Sequence, residues 1–437
     1  MASADATQAA SGGPLLARWQ GLIAPDQAVL KRLEGLAGLL LLVLLTGLPL
    51  FTRAGLALVI AACGALWLLW CICSPPRRIG AISLWLMLFL AIAALATGFS
   101  PVPIAASKGL IKLLSYLGVY ALLCKLLLSN ERWWDRLVAG LLSGGLLSSV
   151  LALRQLYASS EELAGWADPN SISAGTIRIY GPLGNPNLLA GYLLPLIPFA
   201  AIALVRWSGV GARLFAGTTL VLAMTATLFT YSRCGWLGMV AAVAVLLLLL
   251  LLRWTRHWPL VWRRLVPLAV LLVGAACLVV AATQIDPIRT RITSLLAGRG
   301  DSSNNFRINV WMAAIQMVQD RPWLGIGPGN TAFNSIYPLY QQPKFNALSA
   351  YSVPLEILVE TGVPGLLACL GLFASSLRQG LQQLNANGPS ALAAIASLAA
   401  IAGLLMQGST DTIFFRPEVQ LIGWLALATL VSRPGES

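Results

Sequence analysis

Long, almost uninterrupted apolar runs dominate this chain, and a run of that kind has few ways to fold. About 20 consecutive apolar residues are enough to cross the hydrocarbon core of a bilayer as one helix. Such stretches recur near 36–51, 54–73, 81–98, 109–128, 136–156, 183–205, 213–231, 236–252, 266–285, 353–377, 391–407 and 413–432. Only 10% of the 437 residues are charged. A water-soluble domain needs about 25% to solvate its surface. Soluble enzymes, disulfide scaffolds, disordered tails and coiled coils are thereby excluded. The expected class is an all-α polytopic integral membrane protein of about twelve transmembrane helices.

The net charge of +13 would suggest nucleic acid in a soluble protein. Here it is better read as topology, because Lys and Arg concentrate in alternate loops. With the N-terminus in the cytoplasm, the cytoplasmic loops collect Arg18, Lys31, Arg32, Arg77, Arg78, Lys125, Arg132, Arg136, Arg206, Arg213, Arg253, Arg256, Arg263, Arg264, Arg378 and Arg433. The other side receives only Arg53 and Lys108 before residue 157. Both termini are then cytoplasmic, and the expected location is a bacterial inner membrane. Trp133, Trp134, Trp207, Trp254, Trp258 and Trp262 flank the basic loops, where interfacial indoles belong. The expected layout is a cytoplasmic segment 1–35, a membrane domain 36–432 and a tail 433–437. The seven cysteines all sit in or at the ends of spans and read as small apolar residues.

Two outer loops exceed what a connection needs. The first, about 157–182, carries Glu161, Glu162, Asp168 and Arg178 and leads into Tyr180-Gly181-Pro182-Leu183-Gly184-Asn185-Pro186-Asn187. The second, about 286–350, separates spans nine and ten. Within it, 305–319 has helical periodicity, with Ile308, Met312 and Ile315 on the expected apolar face and Arg307 sharing a stripe with Trp311, Ala314 and Val318. Pro322 should stop that helix. The run Gly325-Ile326-Gly327-Pro328-Gly329-Asn330 follows a helix rather than a strand, so a turn is expected in preference to a phosphate cradle.

Ionisable groups in apolar spans are functional candidates by default. Among sixteen carboxylates only Glu356 and Glu360 fall inside a span, four apart and hence on one helical face. They could carry a proton or a cation, or complement the positive end of the helix dipole. Arg233 follows Thr230-Tyr231-Ser232 at the outer ends of two spans, where a guanidinium can clamp a phosphate or carboxylate, or snorkel to the interface. His257 is the only histidine and lies in a basic cytoplasmic loop, so neither a His/Cys metal site nor a Ser/His/Asp triad can be assembled. No metal or cofactor is expected.

The order of these features resembles the O-antigen ligase and polymerase superfamily. It comprises Gly-x-x-Gly-Asn-Pro-Asn before span six, Ser-Arg after span seven, then Arg-x-x-x-Trp and Pro-x-x-Gly-x-Gly in the large loop. Residues 350–362 extend the likeness into span ten, giving a core of about 180–410. In that family a glycan passes from undecaprenyl diphosphate to an acceptor hydroxyl on the periplasmic face. Arginines hold the diphosphate, and a histidine at the end of the large loop acts as base. The resemblance implies anion-binding roles for Arg233 and Arg307, with Arg178, Asn185 and Asn187 beside them. Tyr351 occupies the histidine's place, and a tyrosine of pKa about 10 is a poor base at neutral pH. Glu356 or Glu360 is the implied substitute.

Within the superfamily the sequence is most similar to the cyanobacterial IctB branch, which implies bicarbonate transport or accumulation. Glycan transfer by a ligase or polymerase is the alternative, and an accessory role beside a membrane partner protein is the third. The expected partners are thus the lipid bilayer, a small anion or a polyprenyl-diphosphate-linked glycan, with no nucleic acid.

Overall fold

A computed structural model describes residues 26–75, 79–157, 178–284, 297–385 and 388–431, with positions 286, 289, 290 and 293 between them. Arg18, Arg77, Arg78, Glu161, Glu162, Asp168 and Arg433 lie outside the described residues, as do most of segment 1–35 and the tail 433–437. Helices account for the regular structure. In chain order they are α1 (Gln27–Gly47), α2 (Arg53–Cys73), α3 (Ala81–Gly98), α4 (Pro103–Ser129), α5 (Arg132–Arg154), α6 (Pro186–Arg206) and α7 (Val210–Phe229). Then follow α8 (Arg233–Trp254), α9 (Leu260–Gln284), α10 (Ser302–Asp320), α11 (Asn330–Ile336), α12 (Val353–Gln383), α13 (Pro389–Gly408) and α14 (Pro417–Thr429). The protein is an all-α polytopic membrane protein.

Ten of the described helices are long and apolar enough to cross a membrane: α2 to α9, α12 and α13. The difference from twelve arises at the two ends. The first apolar run forms the second half of α1, whose opening turns carry Lys31, Arg32 and Glu34. The last run yields only the 13 residues of α14, about 20 Å at 1.5 Å per residue, against roughly 30 Å of hydrocarbon. A 3-10 turn, Ile413–Phe415, uses up the residues before it. Nearly all of α14 is nonetheless buried, against α4, α6 and α13.

The centre of the bundle is α6, which packs on α5, α7, α8 and α13. Its most apolar window is 83% buried, against 6% for α9, whose main packing partner among the described helices is α8. Close approach explains the arrangement. Gly238 of α8 and Gly403 of α13 face each other so tightly that a Cβ on either would come within 3 Å of the other's carbonyl oxygen. Small residues at such crossings let backbones approach where no hydrophobic force separates helix from lipid.

Pro195 and Pro198 do not interrupt α6, which runs through both. The interrupted helix is α12, broken at Gly362 (φ 69°, ψ −170°). A Cβ there would lie 2.3 Å from the Trp323 carbonyl oxygen, and the following Val363 N–H donates to the Pro322 carbonyl at 2.8 Å. The large loop is therefore docked into the break.

Candidate functional site

One end of the bundle collects the N-termini of α6, α8 and α12, the C-terminus of α13 and the loop helix α10. Two of these N-termini are built alike. Tyr231 precedes Ser232 at the start of α8, Tyr351 precedes Ser352 at the start of α12, and both tyrosines adopt left-handed backbone (φ 48° and 49°). A side chain in that region costs roughly 1–2 kcal/mol. Strain of this sort is retained where surrounding structure holds it, characteristically at functional sites.

The sequence-derived residues converge here, though with different roles. Asn185 caps α6, accepting from the N–H groups of Asn187 at 2.8 Å and Leu188 at 3.2 Å, and Pro186 takes the first helical position. Asn187 turns its Oδ1 to Arg178, whose Nη2 donates at 2.7 Å, while Arg178 Nε donates to the Thr230 carbonyl at 2.9 Å. Asn-Pro-Asn thus starts a helix and aims an arginine.

Arg233, the first residue of α8, is buried and donates through Nη1 to Asp301 Oδ1 at 3.1 Å. Asp301 is itself wholly buried and caps α10, accepting from Asn304 N at 3.2 Å. Arg307, on the second turn of α10, lies 3.9 Å from Cys234 Sγ through Nη2, and its Nε is buried without a hydrogen-bond partner. Thr410 Oγ1 donates to the same sulfur at 3.1 Å. Cys234 therefore does not act as an apolar filler, as expected of all seven cysteines; its thiol is a polar member of this cluster.

Helix α10 begins slightly before the expected 305 and ends at Asp320, but its buried face is not the one expected. Val310, Ala313, Ala314 and Met317 are buried, whereas Met312 and Ile315 are 44% and 48% exposed. Packing against α12 selects small side chains over bulky ones. The Arg307, Trp311, Ala314 and Val318 stripe is buried or half-buried.

Glu356 and Glu360 are both buried, and each has a backbone partner in the loop. Glu356 Oε2 accepts from the Ala350 N–H, and Glu360 Oε1 accepts from the Gly329 N–H at 2.7 Å. The glycine run is a turn with Gly325, Gly327 and Gly329 at positive φ. It lies along α12, with Ile326 and Gly327 N–H donating to the Val359 and Glu360 carbonyls. The two carboxylates staple the large loop to α12.

Tyr351 is half-buried, its ring edge-on to Phe306 at 5.5 Å and its carbonyl accepting from Trp311 Nε1 at 3.4 Å. Burial, then the negative charge of Asp411, push its phenol above the ordinary tyrosine range, with Arg307 opposing. Its hydroxyl is thus still less able to serve as a base than an exposed tyrosine.

Asp411 is the residue that motif reasoning missed. It sits in Ser409-Thr410-Asp411-Thr412 between α13 and the Ile413–Phe415 turn, 4% exposed. Oδ1 accepts from Thr412 N at 2.7 Å, and Oδ2 is buried without a hydrogen-bond partner. Burial raises its pKa above the usual aspartate range, against the lowering influence of Arg307, the Thr412 and Ile413 amides, and Arg178. The signal available in the sequence was an acid within a short polar run between the last two apolar stretches.

Lined in part by Phe414 and Phe415 of the Ile413–Phe415 turn, a cavity of about 100 Å³ opens between α3, α4, α12 and α14. Its walls include Phe89, Leu113, Phe373, Phe415 and Leu427, with Lys112 and Glu360 as its charged members. Among the described residues no group of three or more His, Cys, Asp or Glu side chains could hold a metal ion.

Residues 218–370 match the model of a family described as O-Antigen ligase. The match runs from α7 into α12 and includes Arg233, Arg307, Tyr351, Glu356 and Glu360, while Arg178, Asn185, Asn187 and Asp411 lie outside it. No curated protein matches the chain. Part of the site, with Arg233, Arg307 and Tyr351, therefore stands on an O-antigen ligase-like region, set within an all-α polytopic membrane protein, and the rest is contributed by segments on either side of it.

Proposed function

We propose that this protein transfers a glycan from a polyprenyl-diphosphate carrier to an acceptor hydroxyl. The observation that carries the reading is the gathering of Arg178 and Arg307, from two separate segments, around a buried Asp411 with an unpartnered oxygen, with Arg233 opening the neighbouring helix α8. Guanidinium groups are the planar, permanently charged partners that a diphosphate calls for. In this reading Arg178 and Arg307 hold the diphosphate. Asp411 Oδ2 takes the proton of the acceptor hydroxyl as its oxygen bonds to the anomeric carbon. The carbon–oxygen bond to the diphosphate breaks, and the leaving group keeps the electron pair against the two arginines. Such general base help is worth roughly 10²–10⁴ in rate. The apolar cavity of about 100 Å³ between α3, α4, α12 and α14 offers the isoprene unit next to the diphosphate a place near the charged cluster.

The membrane orientation follows the charge pattern. Arg132, Arg136, Arg206, Arg213, Arg253 and Arg256 lie at the end of the bundle away from the site. The positive-inside rule puts that end in the cytoplasm and the site on the periplasmic face of an inner membrane.

The IctB likeness would instead make the arginines a relay for bicarbonate. The ligase reading is preferred because it uses both the anion cluster and the apolar cavity. The test is purified protein in nanodiscs with a polyprenyl-diphosphate-linked glycan and an acceptor. Transfer that disappears in Arg307→Ala and Asp411→Asn supports the reading. Bicarbonate uptake into liposomes above empty vesicles, with no transfer, overturns it.

A further inference from the structure

Six helices meet at the end of the bundle away from the anion cluster without closing on one another. A cavity of about 80 Å³ remains between the C-terminal ends of α4, α6, α12 and α14 and the N-terminal ends of α5 and α13. Leu128, Ala393, Ala428 and Val431 supply apolar wall. Trp134, 4% exposed, also lines the cavity, and its indole Nε1 is buried without a hydrogen-bond partner. An indole N–H can only donate, so whatever completes it must present an acceptor.

Two charged residues share the wall. The Arg206 guanidinium carbon lies 4.7 Å from the centroid of the Trp134 ring, and both oxygens of Asp135 accept from that guanidinium, which leaves the pair neutral. Glu131 is exposed, interacts within the protein as well, and precedes α5 three residues before Trp134, a spacing that makes the two neighbours. The described walls therefore carry no surplus positive charge, and a bare anion would be repelled. An oxygen acceptor with a cation a few bonds away is matched instead. The helix ends agree, since four carbonyl ends and two amide ends present partial charges of both signs. Trp207 and the exposed Arg132 and Arg136 place the cavity at the level of a membrane interface, where lipid headgroups lie.

We propose that this cavity binds the phosphoethanolamine headgroup of a bilayer phospholipid. A phosphate oxygen accepts from Trp134 Nε1, and the ammonium lies against Glu131 and the helix carbonyl ends. The acyl chains stay in the bilayer. Bound there, the lipid ties neighbouring helices together at the end where the short α14 stops. The proposal is independent of the diphosphate reading.

The experiment titrates the delipidated full-length protein in detergent with phosphatidylethanolamine or with phosphatidylglycerol of the same acyl chains, scored by native mass spectrometry and by Tm. Phosphatidylethanolamine is expected to bind about tenfold more tightly, the scale of one hydrogen bond between charged groups, and to raise Tm at lower concentration. Trp134→Phe keeps a ring under Arg206 and removes the N–H, so affinity for both lipids should fall about tenfold. Glu131→Gln should bring phosphatidylethanolamine down to the affinity of phosphatidylglycerol. Equal binding of the two lipids by the unaltered protein, or binding of neither, overturns the proposal. So does unchanged phosphatidylethanolamine affinity in Trp134→Phe. Should that variant fail to fold, Glu131→Gln at its exposed position decides, and a preference that survives in it overturns the assignment.

Discussion

The two ends of the bundle each carry an arginine–aspartate pair, and the pairs are finished differently. At the end away from the site, Arg206 meets both oxygens of Asp135, through Nε at 2.7 Å and Nη2 at 2.8 Å. Trp207 Nε1 donates to the same carboxylate at 3.0 Å, and the guanidinium carbon lies 4.7 Å from the centroid of the Trp134 ring. Both aspartate oxygens and the guanidinium in that joint have planar or hydrogen-bonded partners, although the adjacent Trp134 Nε1 is buried without one, and the joint fastens α5 to the C-terminus of α6. At the other end, Arg233 Nη1 meets Asp301 Oδ1 at 3.1 Å, both side chains buried, with an unpartnered Arg307 Nε and an unpartnered Asp411 Oδ2 in the same cluster. The same two residue types make a closed joint in one place and part of an open polar cluster in the other. Polar groups buried without partners cost stability, and an arginine and an aspartate that influence each other while each keeps an unpartnered atom form a pair that a ligand could complete.

The largest test of this contrast is Arg307→Ala. If the open cluster is the anion site, kcat/KM for glycan transfer falls by about 10² or more, the worth of a charge-assisted contact to a developing anion. A loss below tenfold in a steady-state assay would make the two ends equivalent and break the comparison.

Next is Asp411→Asn, for which kcat is expected to fall about 100-fold. Burial raises the Asp411 pKa, and a base must be ionised. Activity of the unaltered protein is therefore present above that raised value and lost as pH falls through it. Stability runs in the opposite direction. A carboxylate whose folded pKa exceeds its unfolded one loses stability as pH rises between the two values. Asp411→Asn should thus melt at a higher temperature than the unaltered protein at neutral pH, while the acidic limb of its pH–rate profile disappears. A variant that loses activity and stability together would recast Asp411 as a structural residue.

Asp135→Asn probes the closed joint. Removing the charge while keeping a hydrogen-bonding side chain is expected to cost about 1–3 kcal/mol of stability, because the pair is partly exposed and its partners remain. Transfer activity of the folded fraction should stay within about twofold, since the joint lies at the far end of α6. Thermal melts and activity in nanodiscs check both halves of that expectation.

How much of this was readable beforehand depends on whether a feature lives in composition or in contact. The apolar runs announced the spans because length and hydropathy are what a bilayer selects. The small size of α14 was hidden, since its apolar run continues back through Ile413–Phe415, whose backbone makes a 3-10 turn. Gly362 reads as a tolerated glycine in an apolar run, and only the approach of Trp323 and Pro322 from the loop makes it a break. Arg233 and Arg307 were visible because charge is conspicuous among aliphatic residues. Their partners were not. Asp301 is an ordinary capping aspartate until α8 comes beside it, and Asp411 gains its role from segments more than 100 residues earlier in the chain. Met312 and Ile315 were assigned to the inner face by hydrophobicity, where the fold needed the smaller Ala313 and Ala314.

The smallest expected effect belongs to Tyr351→Phe. The ring is the part of Tyr351 that packs, edge-on to Phe306, and phenylalanine keeps it, along with the left-handed backbone that tyrosine already tolerates before Ser352. The hydroxyl is lost, but its pKa is held above the ordinary tyrosine range, so it has little phenolate to offer as a base at neutral pH. Transfer by Tyr351→Phe is therefore expected within about threefold of the unaltered protein, with the acidic limb of the pH profile unchanged because that limb belongs to Asp411. Measured side by side, the two substitutions assign the proton. If Tyr351→Phe instead abolishes the limb and Asp411→Asn leaves it, the base is the residue standing in the histidine's place, and the buried carboxylate is there to set its charge.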